Sequence, residues 1–194
     1  HLLIDPVDVI VRRGLRLTGL ERTLCDLAAM LDDDELIAAA DNILWRKRVR
    51  GHRATHASLD AAIHRFRGRR GRARLVALQP HLTDRADSPP ESVFRLRFIR
   101  AALPTPLVNV EVLDSAGSPI AQPDLQFDRY RMALDYEGDH HRTDARQWRK
   151  DLARVPRLQD AGWHHTRISA DDLTDSTELI ARLRRVLASP GRRS

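Results

Sequence analysis

The segment TDRADSPP, residues 83–90, constrains the fold of this chain more than any other. It gathers turn-forming residues and ends in two consecutive prolines, which neither a helix interior nor a central strand absorbs. The hydrophobic pattern differs on its two sides. A boundary is therefore expected here, between a mostly helical N-terminal domain over 1–82 and a second domain over 88–188. A chain of 194 residues suits such a division.

Before the boundary, PVDVIVR (6–12) reads as a strand and Gly14 as a turn. Leu20, Leu24, Leu27, Ala28 and Leu31 then recur at helical spacing. Asp32, Asp33 and Asp34 supply a cap and an acidic first turn for a second helix, ELIAAADNILWRKR. A third helix is expected from Ser58 to about Phe66, and a fourth near 73–80. The stretch RFRGRRGRAR (65–74) is basic and punctuated by glycine.

After the boundary, Ser88 and Glu91 have capping-box spacing, with proline at the first helical position. The expected order is helix 90–102, strands 107–113, 119–127 and 130–137, helix 143–161, strand 163–168 and helix 175–188. Pro156 should interrupt the second of these helices.

Composition narrows the function classes. Apolar residues make up 42% of the chain, enough for a core, but aromatics only 5%, so the core must be aliphatic. No apolar run approaches the roughly 18 residues of a membrane span, and no secretory signal pattern is visible. The lone Cys25 fits a reducing, cytoplasmic setting. The net charge of +6 and a pI near 10.5 favour an anionic partner, most commonly nucleic acid. Lysine occurs only at 47 and 150; arginine supplies the rest. That excess suits phosphate contact by guanidinium groups, or reflects GC-rich coding.

Alternation along a strand sorts the acidic residues. In 130–137, Arg131, Ala133, Asp135 and Glu137 share a face. In 119–127, Ile120, Gln122, Asp124 and Gln126 do. A two-residue loop at Asp128-Arg129 would pair Phe127 with Tyr130 and set Asp124 opposite Ala133. Asp135 would then be its diagonal neighbour, roughly 7–8 Å away. Three carboxylates on one face repel one another, and a bound Mg²⁺ or Mn²⁺ would relieve that. The alternative is an ordinary solvated strand face. Glu91 is explained by its capping box, with metal ligation as the other reading.

The segment Pro123-Asp124, ten residues, then Asp135-Tyr136-Glu137-Gly138-Asp139-His140-His141 resembles the PD-(D/E)XK nuclease superfamily. The α-β-β-β-α-β order is similar to that superfamily's restriction-endonuclease-like α/β core with a mixed sheet. FDRYRMALDYEGDHH followed by RLQDAGW resembles, more narrowly, the very short patch repair endonucleases and related small nuclease-like proteins. The resemblance runs from Ser88 to about Leu187. It implies a metal-dependent DNA endonuclease, in repair or phage defence, using Mg²⁺ or Mn²⁺ on double-stranded DNA. Asp124 matches the first metal ligand and Asp135 the acidic residue of the (D/E)XK element. Glu137 departs from the pattern by standing where lysine is usual. Proton transfer then falls to Glu137, to the metal or to a histidine. His141, with His140 beside it, matches a histidine that the repair endonucleases carry.

Arg142, Arg146, Arg149 and Lys150 cluster on one side of the expected helix 143–161, a candidate DNA-backbone grip or a solvated face. Arg67, Arg69 and Arg70 in the basic stretch are phosphate-contact candidates, or part of a solvated loop. His164 and His165 are assigned to packing. No histidine or cysteine spacing suggests structural zinc. GLRLTGLERTLCDLA resembles segments that follow winged-helix units in bacterial antitoxin-type regulators. A catalytically silent DNA-binding regulator is therefore the competing expectation.

Overall fold

The computed structural model describes residues 4–48, 53–138 and 155–188. They form two compact units, His1–Ser92 and Val93–Ser194. The chain is α/β, and no helix among the described residues is long and apolar enough to cross a membrane.

The first unit begins with a 3-10 turn, Pro6–Asp8, and an antiparallel hairpin, β1 (Val9–Arg12) and β2 (Leu15–Thr18). The sequence suggested one strand. Arg13 and Gly14 both take positive φ, 51° and 79°, which is the backbone of a tight two-residue hairpin turn. Helix α1 (Leu20–Leu27) buries Leu24 and Cys25. Helix α2 (Asp33–Leu44) opens with a full capping box, Asp32 with Glu35. Helix α3 (His56–Arg65) is capped by Thr55 and Ser58, so it starts slightly earlier than expected. Helix α4 (Arg72–Leu78) follows Gly71, whose φ is 87°. A Cβ there would lie 2.5 Å from the backbone of Ala28, so only glycine permits this approach to the end of α1.

The expected linker is not a free tether. Thr83 donates its N–H to Asp41 at 2.8 Å, and Ala86 is buried. Asp87 accepts from the Trp45 indole at 2.8 Å and from Lys47. The division between units instead falls within helix α5 (Pro89–Arg100). Composition marked the turn correctly but not its hydrogen bonds, which come from residues about 40 positions earlier.

In the second unit, both long strands expected before residue 128 are broken. The first becomes β3 (Leu107–Val108) and β4 (Val112–Leu113); the second becomes β5 (Pro119–Ala121) and β6 (Leu125–Phe127). Asn109 at φ 49° breaks one, and Pro123, which has no N–H for a ladder, lies in the break of the other. The chain therefore turns a corner. The outer halves β4 and β5 pair with each other, while β3 and β6 join β7 (Met132–Glu137) and β8 (His164–Ser169) in a sheet ordered β3-β6-β7-β8. That sheet is mixed, because β7 and β8 run parallel and its other pairs antiparallel.

The sheet is covered on both sides. Phe94 and Phe98 of α5 pack on Tyr136 and Phe127, each with ring centroids 6.0 Å apart. Burying each such ring contributes about 1.5–3 kcal/mol. On the other side Ala133 packs with Val112, Trp163 and Leu158, the last from helix α6, described over residues 155–160. Short helix α7 (Ala170–Thr174), absent from the sequence reading, is capped by Ser169 with Asp172. Helix α8 (Thr177–Ala188) buries Leu179, Leu183 and Leu187. Arg97 of α5 binds the Leu173 carbonyl at 2.6 Å and the Ser176 hydroxyl at 2.8 Å, fixing α5 to the start of α8.

Candidate functional site

The sheet corner sets the position of Asp124. The N–H of Asn109 donates to the Asp124 carbonyl at 3.1 Å, and the Gln122 amide donates to the Asn109 carbonyl at 2.7 Å. These bonds hold the chain at the break, with Asp124 as the first residue past Pro123.

The hairpin register differs from the expected one. Residues Asp128–Tyr130 form a 3-10 turn and Arg131 takes φ 46°, so the loop is longer than two residues. Phe127 pairs with Met132, Gln126 with Ala133 and Leu125 with Leu134. One step further places Asp124 across from Asp135 rather than Ala133. A shift of two residues preserves which side chains share a face, so the expected face holds and the expected spacing does not.

The two carboxylates are tied together through the backbone. The N–H of Asp124 donates to Asp135 Oδ1 at 3.2 Å, and the N–H of Tyr136 donates to Asp124 Oδ2 at 2.8 Å. The Asp135 side chain is only 17% exposed, and its Oδ2 lies 2.7 Å from Nε2 of His165. His165 was assigned to packing, yet it belongs to this group. Its signal lies in topology. In the parallel β7–β8 pair Ala133 faces His165 and Asp135 faces Arg167, so 133, 135 and 137 share a side with 165, 167 and 169.

Glu137 shares that face but not the cluster. It is exposed at the end of β7 and pairs with Arg167, Oε1 to Nε 3.0 Å. Glu91 is buried at the start of α5, where it accepts from the Asp87 N–H at 2.8 Å and the Ser88 hydroxyl at 2.7 Å. These bonds tie Glu91 to the turn that precedes α5. His140, His141, Arg142, Arg146, Arg149 and Lys150 lie outside the described residues. Of the basic stretch, Arg67 contacts the His64 ring, the Arg69 guanidinium lies 5.7 Å from the Phe66 ring centre, and Arg70 is exposed.

Asp124 and Asp135 supply hard oxygen donors, the type that Mg²⁺ or Mn²⁺ takes while keeping several waters. Among the described residues, no group of three or more His, Cys, Asp or Glu side chains is arranged to hold a metal ion. Two carboxylates of this kind could share a cation completed by water or substrate oxygens.

The chain is similar to two uncharacterized proteins of Mycobacterium tuberculosis, one from strain CDC 1551 / Oshkosh and one from strain ATCC 25618 / H37Rv. Each is 28% identical over 166 residues, or 85% of this chain. The chain spans 59% of the length of these relatives. No protein-family model and no solved structure matches it.

Proposed function

We propose that the second unit carries a metal-dependent phosphodiesterase centre acting on double-stranded DNA, with Asp124 and Asp135 as its cation-holding carboxylates. The observation that supports this most is the direct opposition of these two acids at the sheet corner. Neighbouring carboxylates resist sharing a charged state, and a divalent cation offsets that resistance. Mg²⁺ or Mn²⁺, when bound, supplies charge stabilisation at a phosphoryl group and activates water.

The chain's own residues orient the pair. The N–H of Tyr136 fixes Asp124, and the His165 imidazole fixes Asp135. A hydrogen-bonded partner behind a ligating carboxylate sets its direction. Glu137 serves as the holder of Arg167 rather than as a third ligand. His141 and His140 are assigned proton transfer on the family resemblance alone. The net charge of +6 supports an anionic substrate. Supercoiled plasmid incubated with Mg²⁺ or Mn²⁺ tests the reading: the chain nicks or linearises it, chelation stops the reaction, and Asp124→Ala abolishes it. Full activity in Asp124→Ala sinks the assignment.

A second reading is a catalytically silent DNA-binding regulator. The Glu137–Arg167 pair favours it, since an ion pair stands where the resemblance expects a lysine. DNA binding without cation-dependent cleavage would select it.

A further inference from the structure

We infer that Arg167 is the residue through which this site grips a DNA phosphate, with Glu137 as the side chain that aims it. The inference deepens the proposed function and rests on that reading for its substrate.

Arg167 is the in-register neighbour of Asp135 across the parallel β7–β8 pair. Adjacent strands lie about 4.8 Å apart, so this guanidinium rises from the sheet beside the carboxylate pair and on its face. His165 reaches along the sheet to Asp135, and Arg167 reaches equally far to Glu137. Both side chains of β8 therefore lean the same way, and Arg167 ends at the open margin of the face. It is 58% exposed, whereas the His165 side chain is 9% exposed.

The donors left over carry the argument. A guanidinium presents five N–H groups in a rigid fork. Glu137 engages only Nε. Among the described residues Nη1 and Nη2 have no partner. The terminal fork is the part that matches two oxygens of a phosphodiester. An exposed ion pair holds a direction without locking the cation away from an incoming anion. A carboxylate pair alone repels a phosphate. A fixed positive fork next to it supplies the attraction that a polyanionic strand needs to lie across the corner.

The full chain is titrated into a short fluorescein-labelled DNA duplex in EDTA over a salt series, with anisotropy as the readout. Arg167→Ala is expected to weaken binding about five-fold and to lower the salt slope by about one counterion. Arg167→Lys is expected to keep the slope and lose part of the affinity. Unaltered affinity and slope in Arg167→Ala overturn the inference, as does a wild-type chain that binds duplex RNA but not DNA. Unchanged circular dichroism of the variants separates a binding defect from misfolding. Plasmid cleavage with Mn²⁺ separates this inference from the reading beneath it. Wild-type binding without cleavage, weakened in Arg167→Ala, removes the nuclease and leaves the phosphate grip. Cleavage whose KM is unchanged in Arg167→Ala, with unchanged binding, does the reverse.

Discussion

Asp8 in the first unit and the Asp124–Asp135 pair in the second are both withdrawn from solvent, but their company differs. Asp8 is 8% exposed and sits between two arginines, with Arg65 at 2.8 Å and Arg22 at 3.6 Å. Arg22 also bonds Asp26 at 3.0 Å, and its guanidinium lies 5.4 Å from the centre of the Phe66 ring. The Asp8 carbonyl accepts the N–H of Gly19, so this acid closes the base of the β1–β2 hairpin against its helices. Asp124 and Asp135 are instead held by backbone N–H groups and an imidazole, with a second acid opposite. An acid matched by guanidinium groups is a strut. An acid facing an acid stores repulsion that a ligand can relieve. On the proposed function, the comparison separates charge used for stability from charge kept for a cation.

Asp8→Ala should break the first arrangement outright. It leaves Arg22, itself only 5% exposed, with Asp26 as its remaining carboxylate partner, and the expected cost is about 3 kcal/mol, read from urea unfolding. A loss below about 1 kcal/mol would remove Asp8 from the role of strut. His165→Ala comes next. It deprives a mostly buried carboxylate of a partner, with an expected cost of about 1–3 kcal/mol. His165→Gln should recover part of it, and a metal-binding titration should move with it. Asp135→Asn should cost the least, within about 1 kcal/mol, because the amide keeps an acceptor for Asp124 and removes one of two opposed charges. If it destabilises as much as Asp8→Ala, the two regions do not differ in kind.

Asp87 offers a smaller, pH-dependent comparison. Partial burial works against its charged form, but hydrogen bonds from Lys47 and Trp45 outweigh this and hold its pKa below the usual carboxylate range. A folded pKa below the unfolded one stabilises the fold above the unfolded value, about 3.9. That contribution is lost as pH falls through the lower folded value. Asp87→Asn should flatten this acid limb while leaving the pH dependence of stability above about pH 5 unchanged. An unchanged acid limb would show that Asp87 does not contribute to it. Cys25, whose thiol burial pushes up to about 12, should resist alkylation in the native state and react on unfolding.

The caps were the most legible part of the sequence. Asp32 caps α2 as expected, its side chain accepting the Glu35 N–H, and Ser88 and Glu91, paired by their spacing, are in hydrogen-bond contact. The face shared by Asp124 and Asp135 was also legible, because strand alternation survives a register shift of two. Their spacing was not, since it depended on Arg131 adopting a left-handed backbone that no local rule demanded. His165 was hidden for a related reason. Its place beside Asp135 follows from the parallel pairing of strands about 30 residues apart, which only the folded sheet reveals. Glu137 was grouped with the acids by its strand parity and by its place in the (D/E)XK-like element. At the end of its strand it reaches Arg167 instead.

Calorimetric titration of Mn²⁺ into the wild-type chain and into Asp124→Asn, each followed by plasmid cleavage, tests the central claim most directly. The account predicts a saturable cation site and cation-dependent cleavage in the wild type, both lost in Asp124→Asn while the fold is retained. Cleavage by Asp124→Asn at the wild-type rate, or a wild-type chain that binds no cation even with DNA present, would contradict it.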